Sequence, residues 1–397
     1  MPARIAMVAG EASGDLLASH LIEALRCHAP GARFYGIGGP MMQAAGFDAL
    51  FPSEKLAVRG YAEVLRHYWE IAGIRRKLKR ELRRIPPDAF IGVDAPDFNL
   101  DLEGDLKAAG IPAIHYVSPS IWAWRGGRIG KIGRSVTHML ALFPFEPALY
   151  ERRGIPITYV GHPLADLIPL EVSTFAARRR LDLPDGATVF ALLPGSRQSE
   201  LHYMGATFLE TAKLLHRGFP QARFLVPLAS RETRLQFETA LHERQAHELP
   251  LTLLFGHAHD AMAAADAVLV ASGTATLEAA LFKKPMVIAY RISPWSYGLM
   301  KHMAYQPYIG LPNILAGRFV VPEFIQDDAT PENLAQALGN WVTDRRSTER
   351  LERVFTRIHL TLRQGTAEKA ARAILPYLNR PSPLPRGKSD KLGDAKT

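Results

Sequence analysis

The chain has 397 residues, of which 47% are hydrophobic and 22% are charged, and its formal net charge is +9. This length suffices for two or three domains with full cores, and the ordinary apolar content excludes a chain that is disordered throughout. No apolar run approaches the roughly 20 residues of a membrane-spanning helix, and a single cysteine, Cys27, excludes a disulfide framework and predicts a reducing, cytoplasmic location.

The chain opens with an apolar run that predicts a buried first strand and not a secretory signal. The turn at residues 10–15 follows, directly before a helical pattern. Its small residues let a ligand approach the backbone, and the N–H groups of a helix start favour an anion. A capped strand-to-helix turn is the plainer interpretation, and the alternative is that Glu11 and Asp15 face sugar hydroxyls.

Residues 61–74 carry apolar and aromatic side chains at helical spacing. Residues 75–84 follow as a basic cluster with seven bases and one acid, Glu81. An amphipathic helix with its apolar face in the core explains this pattern, as does an interfacial helix on anionic lipid. Nucleic-acid binding is a third interpretation, but no recognised motif supports it. The candidate membrane-contact residues are Val64, Leu65, Tyr68, Trp69, Arg75, Arg76, Lys77, Lys79 and Arg80.

A predicted strand at residues 88–94 runs into an acidic turn. Asp94 stands at the end of this strand, where a carboxylate can accept a proton from an attacking hydroxyl. A purely structural turn is the alternative. Asp97 and Asn99 are better explained as caps of the next helix.

The segment 115–134 contains paired tryptophans and a basic stripe. Trp122 and Trp124 indicate either a ligand-facing loop or core packing. Bases at every third residue from 125 to 134 favour either a phosphate contact or a solvated helix face.

After residue 170 the rhythm of strand, turn and helix restarts. Gly195, Ser196 and Arg197 follow the first strand of this second half, and Arg197 is placed to bind a pyrophosphate with two parallel hydrogen bonds. Further on, a second strand-to-helix turn offers amides and hydroxyls to a phosphate and a carboxylate to a ribose. Its candidate residues are Ser272, Gly273, Thr274 and Glu278. A capping turn with a surface glutamate is the plainer alternative.

Strands rich in Val, Ile and Leu without alternation predict parallel sheets covered on both faces, hence an α/β fold of two doubly wound Rossmann-like domains. The expected boundaries are 1–168 and 169–354 for the two domains, 355–380 for C-terminal helices and 381–397 for a disordered tail. Such a pair predicts a cleft between two sets of strand carboxyl ends.

The turn residues together favour a nucleotide diphosphate in the second domain and an acceptor with its base in the first. This is the plan of a transferase that uses a nucleotide sugar. A dehydrogenase is disfavoured because no G-x-G-x-x-G follows the first strand of either half. No cluster has metal-ligand spacing, and we expect neither a metal nor a cofactor.

Nine motifs occur in an order that resembles the lipid-A-disaccharide synthase family, from about residue 4 to about residue 378. They are AGEASGDLLASHLI, GIGGPMMQAAGF, GVDAPDFNLDLEG, HYVSPSIWAWR, KIGR, GHPLAD, LLPGSR, ASGTATLEAAL and LPNILAGR. The resemblance implies an inverting, metal-independent glycosyltransferase of family nineteen, with the two-domain fold of the GT-B type. Its donor is UDP-2,3-diacylglucosamine, its acceptor is 2,3-diacylglucosamine 1-phosphate, and its products are the β-1,6-linked disaccharide 1-phosphate and UDP.

The resemblance also implies roles for single residues. Asp94 matches the base and Arg197 a UDP-side catalytic residue. The substrate-binding positions are Glu11, Ser13, Gly14, Gly195, Ser196, Ser272, Gly273, Thr274, Glu278 and Asn313.

Peripheral attachment to the anionic inner face of the cytoplasmic membrane and a homodimer with exchanged C-terminal segments are further implications, with no nucleic-acid partner. Family members usually carry an apolar residue at the position of Arg59. The charge there bears on which acyl chains the enzyme accepts and not on the reaction. The competing hypotheses are a UDP-sugar epimerase or another UDP-sugar transferase of this fold, and a non-catalytic basic protein on membrane or nucleic acid.

Overall fold

A computed structural model of the chain describes residues 2–52, 61–122, 126–271, 273–293, 297–298 and 307–378, without the side chains of residues 61–68. The predicted tail at 381–397 lies outside these residues, as does Arg59. The chain forms two compact units, residues 1–163 with 364–397 and residues 164–363. The chain thus enters the second unit a few residues before the expected boundary at 168, and it returns to the first unit inside the expected C-terminal segment 355–380.

The first unit contains a parallel sheet of seven strands in the order β3-β2-β1-β4-β5-β6-β7. The strands are β1 (Arg4–Ala9), β2 (Arg33–Gly38), β3 (Phe47–Pro52), β4 (Ala89–Val93), β5 (Ala113–Tyr116), β6 (His138–Ala141) and β7 (Ile157–Tyr159). The strand order reverses between β1 and β4, which makes their carboxyl ends the topological switch point where such sheets bind ligands.

Helices cover both faces of this sheet. They are α1 (Ala12–His28), α2 (Pro40–Ala44), α3 (Tyr61–Arg84), α4 (Pro96–Ala108), α5 (Ile129–Ser135), α6 (Pro147–Glu151) and, after the second unit, α16 (Thr366–Leu378). Ile5 and Met7 of β1 pack against α1 and α16, whereas Ala6 and Val8 pack against α3 and α4. This burial on both faces explains why the strand shows no polar alternation.

Helix α3 is anchored in the core by its second half. Ile74, Leu78 and Leu82 recur every four residues and are buried against the sheet. The core interpretation therefore holds for this half of the helix. Trp69, near the middle of the helix, is 74% exposed.

Two predicted membrane-contact bases of α3 form ion pairs with α4. Arg75 Nη1 lies 2.9 Å from Asp101 Oδ2, and Lys79 pairs with Asp105. The outer bases Arg76, Lys77 and Arg80 are exposed to solvent.

The second unit contains a parallel sheet of six strands in the order β10-β9-β8-β11-β12-β13. The strands are β8 (Val189–Leu193), β9 (Arg223–Leu228), β10 (Leu251–Phe255), β11 (Ala267–Ala271), β12 (Met286–Tyr290) and β13 (Glu323–Ile325). Here the strand order reverses between β8 and β11, so the second switch point lies at their carboxyl ends.

The helices of the second unit complete its core. They are α7 (Pro163–Leu167), α8 (Thr174–Arg180), α9 (Gln198–Gly218), α10 (Arg231–Glu243), α11 (Ala258–Ala264), α12 (Thr274–Leu281), α13 (Leu311–Ala316), α14 (Pro331–Thr343) and α15 (Arg345–Leu362). Phe208 of α9, Phe237 of α10 and Leu338 of α14 are fully buried against the strands. The prediction of two doubly wound α/β domains with a helical C-terminus is confirmed.

Among the described residues, no helix has both the length and the apolar character that a bilayer crossing requires.

Candidate functional site

The switch point of the second unit forms a cavity of about 430 Å³. This volume is in the range of small-molecule sites. It is lined by Leu193, Gly195, Ser196, Arg197, Glu200, Pro227, Leu228, Ala229, Gly256, Ala258, Ala271, Gly273, Thr274, Ala275 and Glu278. Six predicted site residues therefore share one cavity: Gly195, Ser196, Arg197, Gly273, Thr274 and Glu278. Ser272 lies outside the described residues.

The turn between β8 and α9 is held in shape by Glu200. One carboxylate oxygen of Glu200 accepts hydrogen bonds from the backbone N–H groups of Ser196 (2.8 Å) and Arg197 (3.3 Å). Gly195 has a φ of 122°, and a Cβ at this position would lie 2.5 Å from Glu200. Both the backbone conformation and the space therefore require glycine. No sequence motif pointed to Glu200, although an acid three residues into a helix is a common capping signal.

Arg197 is loosely held. Its side chain is 75% exposed, and Nη1 lies 3.3 Å from Glu200 Oε1. An exposed ion pair of this length contributes little to stability. The guanidinium is therefore available to an anionic ligand, which it can bind with two parallel hydrogen bonds.

Gly273 and Thr274 begin helix α12 at the opposite side of the cavity. Gly273 has a φ of 143°, and a Cβ there would meet no atom within 4 Å. The requirement for glycine at this turn is therefore conformational. The first N–H groups of α12 lack helical partners and are donors for an anion.

Glu278, one turn into α12, pairs with His259 of α11. Glu278 Oε2 lies 2.9 Å from His259 Nε2, and this hydrogen bond raises the pKa of His259. When protonated, His259 adds positive charge next to Glu278. The sequence gives no signal for His259, because it stands in a short helix without a distinctive pattern.

Asn313 is fully buried and does not line this cavity. Its Nδ2 donates to Val321 O (2.9 Å) and Glu323 Oε1 (2.7 Å), and its Oδ1 accepts from the N–H groups of Val320 (2.7 Å) and Val321 (3.0 Å). These four bonds use the whole capacity of the amide. A direct contact with substrate, as predicted, would require one of them to break, and the arrangement instead suits a residue that positions the loop after α13.

Asp94 lies at the switch point of the first unit. Its N–H donates to Tyr116 O (2.8 Å), and its φ of 52° is followed by a φ of 43° at Ala95. Two successive non-glycine residues in the left-handed region are unusual and typical of functional turns. Asp94 is partly exposed, and no hydrogen bond to its carboxylate occurs within the described residues.

The predicted residues of the first turn lie at this same edge of the sheet. Glu11 and Ser13 are exposed and follow β1, which pairs directly with β4. Gly14 is buried, and a Cβ at this position would lie 3.6 Å from Val93 O. This small residue brings α1 close to the strand that ends at Asp94.

Two neighbouring acids have structural roles. Asp15 is buried and accepts three backbone N–H groups of residues 39–42, at 2.9, 2.9 and 3.1 Å, so the expectation that it faces a sugar is wrong. Asp97 pairs with Arg128 at 2.7 Å. The N-cap of α4 is Ala95, and Asn99 donates to Asp94 O rather than capping the helix.

Trp122 belongs to an aromatic cluster after β5 and β6. Its ring packs edge-on against Phe143 and Phe145, at centroid distances of 6.3 and 5.3 Å. Burial raises the pKa of the adjacent Glu146 to about 7, and its Oε2 accepts from Phe143 N–H at 2.9 Å. The core-packing interpretation therefore holds for Trp122, whereas Trp124 lies outside the described residues.

Among the described residues, no group of three or more His, Cys, Asp or Glu side chains is arranged to bind a metal ion.

The family described as lipid-A-disaccharide synthetase matches residues 5–375. The lipid-A-disaccharide synthase of Dechloromonas aromatica is 66% identical over 95% of this chain and 99% of its own, and that of an Azoarcus species is 64% identical over 96% and 97%. A crystal structure of UDP-GlcNAc 2-epimerase from Neisseria meningitidis bound to UDP-GlcNAc has a TM-score of 0.63 at 13% identity and covers 94% of this chain and 99% of its own, which shows a shared fold.

We expect His259→Gln to destabilise the second unit most at acidic pH. The pair with Glu278 raises the pKa of His259. Its stabilisation is therefore complete below the ordinary histidine value of about 6.5 and is lost as the pH rises through the raised value.

Urea unfolding of wild type and variant at about pH 5.5 and about pH 8.5 measures this difference. The gap in unfolding free energy should be larger at the lower pH. His202→Gln replaces an exposed histidine of the same unit and serves as the control. An equal gap at both pH values contradicts the prediction.

Proposed function

Since this chain belongs to the lipid-A-disaccharide synthase family, we propose that its second unit holds the UDP donor and that Asp94 of its first unit is the base of the transfer reaction. The chain is a hexosyltransferase of lipid A biosynthesis. It joins UDP-2,3-diacylglucosamine to 2,3-diacylglucosamine 1-phosphate and releases UDP.

The donor site is assigned to the cavity at the ends of β8 and β11. Its two turns, 195–197 and 273–274, line one space, the start of α12 supplies N–H groups without helical partners, and Arg197 adds an exposed guanidinium. A diphosphate matches these donors in charge and geometry. Glu278 is the carboxylate for the ribose hydroxyls, as acids are in other nucleotide-binding folds.

The assignment of the base rests on one observation. The Asp94 carboxylate is partly exposed at a switch point, carries no hydrogen bond within the described residues, and is held on a strained turn. In the reaction, the acceptor oxygen forms a bond to the anomeric carbon from the face opposite UDP. The bond from that carbon to the phosphate oxygen breaks, UDP leaves with the electron pair, and the hydroxyl proton passes to Asp94.

Positive charge on the donor side completes this mechanism. As the bond to UDP breaks, negative charge develops on the diphosphate. Arg197 and the N–H groups at the start of α12 stabilise that charge, which lowers the barrier without a metal ion.

The membrane-facing part of the proposal concerns α3. Its core side holds Leu78 and its partners, so the exposed bases Arg76, Lys77 and Arg80, with the exposed Trp69, form the side available to anionic lipid. Arg75 and Lys79 form ion pairs with α4 and are therefore less available to lipid. Val64, Leu65 and Tyr68 belong to the helix, and their side chains lie outside the described residues. In this proposal, contact through this side attaches the enzyme to the inner face of the cytoplasmic membrane, where its acylated substrates reside.

A homodimer by exchange of C-terminal segments is also part of the proposal. Within one chain, Ala370, Ala371 and Ile374 of α16 are buried against the first unit. Exchange would form the same contacts with a second copy.

A UDP-sugar epimerase of the same fold is the competing enzyme. It needs no acylated acceptor. Acceptor-dependent release of UDP, with a disaccharide product seen by mass spectrometry, separates transfer from epimerisation.

We expect Asp94→Asn to lower kcat by roughly 10²- to 10⁴-fold, since general-base catalysis is worth about that much. The amide keeps the shape of the side chain but cannot take the proton. The KM for the UDP donor should stay near the wild-type value. Asp97→Asn, three residues away, is the matched control and should retain turnover. A folded Asp94→Asn enzyme with near wild-type kcat would falsify the assignment.

We expect Arg197→Ala to weaken UDP binding roughly 10- to 100-fold, because a hydrogen bond to a charged group contributes about 1.5–3 kcal/mol. The kcat should fall as well, since the guanidinium stabilises the leaving diphosphate. Isothermal titration with UDP and steady-state kinetics measure the two effects. Arg217→Ala, at the exposed far end of α9, is the control. Unchanged UDP affinity in Arg197→Ala would refute its role.

We expect the triple variant Arg76→Gln/Lys77→Gln/Arg80→Gln to bind vesicles containing phosphatidylglycerol about 100-fold more weakly, because each base contributes about 1 kcal/mol near an anionic surface. The control Arg152→Gln/Arg153→Gln/Arg217→Gln loses the same charge from other exposed sites. Sedimentation with vesicles measures the partition. Equal losses in both triples would show that only net charge matters and would reject this face.

A further inference from the structure

Three buried polar side chains lie behind Asp94 and are not used by the mechanism above. Asn99 and Glu103 are on α4, His115 is on β5, and all three are fully buried. Polar groups are costly to bury, so a set of three that reaches the turn of the proposed base through Asn99 calls for a function.

The first contact joins Asn99 to Asp94. Asn99 Nδ2 donates a 2.8 Å hydrogen bond to Asp94 O. That carbonyl belongs to the left-handed turn in which Asp94 and Ala95 have φ values of 52° and 43°. Such conformations cost about 1–3 kcal/mol each and persist only where the surroundings hold them. The Asn99 amide is one of the groups that hold this turn.

The second contact joins Asn99 and Glu103 at Gly92. The two side chains are four residues apart on α4 and therefore share one face of the helix. A Cβ on Gly92 would lie 2.9 Å from Asn99 Cβ and Cγ and would overlap Glu103 Oε1. Both side chains thus occupy the space above Gly92, two residues before Asp94, and only glycine leaves that space open.

The third contact joins Glu103 to His115. Glu103 Oε1 lies 2.7 Å from His115 Nδ1, and burial raises the pKa of Glu103. Among the described residues, Asn99 Oδ1, Glu103 Oε2 and His115 Nε2 have no hydrogen-bond partner. Glu103 in its protonated form, like a glutamine at this position, offers a donor to Asn99 Oδ1 on the same face of α4.

We propose that Glu103, oriented by His115, holds Asn99 in place, and that Asn99 in turn sets the direction of the Asp94 carboxylate through the Asp94 carbonyl. Asn99, Glu103 and His115 are then positioning residues of the transfer reaction. This inference rests on the proposed function, because it takes Asp94 as the base.

The test compares conservative and disruptive variants. Asn99→Ala and Glu103→Ala should lower kcat roughly 10- to 100-fold, the loss typical of a small misplacement of a catalytic group. The UDP dissociation constant should not change, since the donor cavity belongs to the other unit. Glu103→Gln, which keeps the acceptor for His115 and a donor for Asn99, should retain kcat within about threefold. If Glu103→Gln loses as much as Glu103→Ala, the proposal is overturned.

A double variant separates positioning from general stability. If Asn99 acts through Asp94, adding Asn99→Ala to Asp94→Asn should lower kcat no further, because the two residues act as one unit. Additive losses would overturn the proposal. Thermal melting identifies any variant that fails to fold, and Asn99→Asp then replaces Asn99→Ala, since it keeps the shape and removes the donor.

Failure of the base and failure of its positioning network give different results. A near wild-type kcat in Asp94→Asn removes Asp94 as the base and the positioning network with it. A large loss in Asp94→Asn, with wild-type kcat in both Asn99→Ala and Glu103→Ala, leaves the base in place and removes only its positioning network.

Discussion

Parallel strands that are buried on both faces impose the constraint on which the rest of this structure depends. Each connection must cross over the sheet as a helix, so every strand delivers its carboxyl end and the next helix start to the same edge. In the first unit, this places the turns after β1 and β4 side by side. In the second, it places those after β8 and β11 side by side. The candidate site residues lie at these two edges because the turns after the strands meet there.

The groups at the two edges differ in the sign of their charge. The edge of the second unit offers helix N–H groups and an exposed Arg197, which suit a leaving diphosphate. The edge of the first unit offers the Asp94 carboxylate, which has no hydrogen bond within the described residues and can accept a proton. Other polar side chains near these edges form hydrogen bonds with backbone groups. Asp15 binds the 39–42 turn, Glu200 the turn before α9, and Asn313 the loop after α13.

Helix α3 shows how one segment serves two environments. Its buried side, with Ile74, Leu78 and Leu82, is a normal core face. Its outer bases remain in solvent, and two inner ones are neutralised by α4. The core and interfacial interpretations of its sequence are therefore not exclusive, because they concern different sides of the same helix.

The sequence by itself determined the fold class, the family and the turn residues that line the cavity of the second unit, because apolar runs, glycines and short motifs are local properties of the chain. It did not determine what each polar side chain contacts. Glu200 and His259 lie outside the nine motifs. Asp15, Asn99, Glu103 and His115 lie inside them, but the motifs do not show that Asp15 binds the backbone of residues 39–42, that Asn99 binds the Asp94 carbonyl or that Glu103 pairs with His115. Hydrogen-bond partners are set by distances between residues far apart in the chain, and only the tertiary structure decides which of the available donors and acceptors meet.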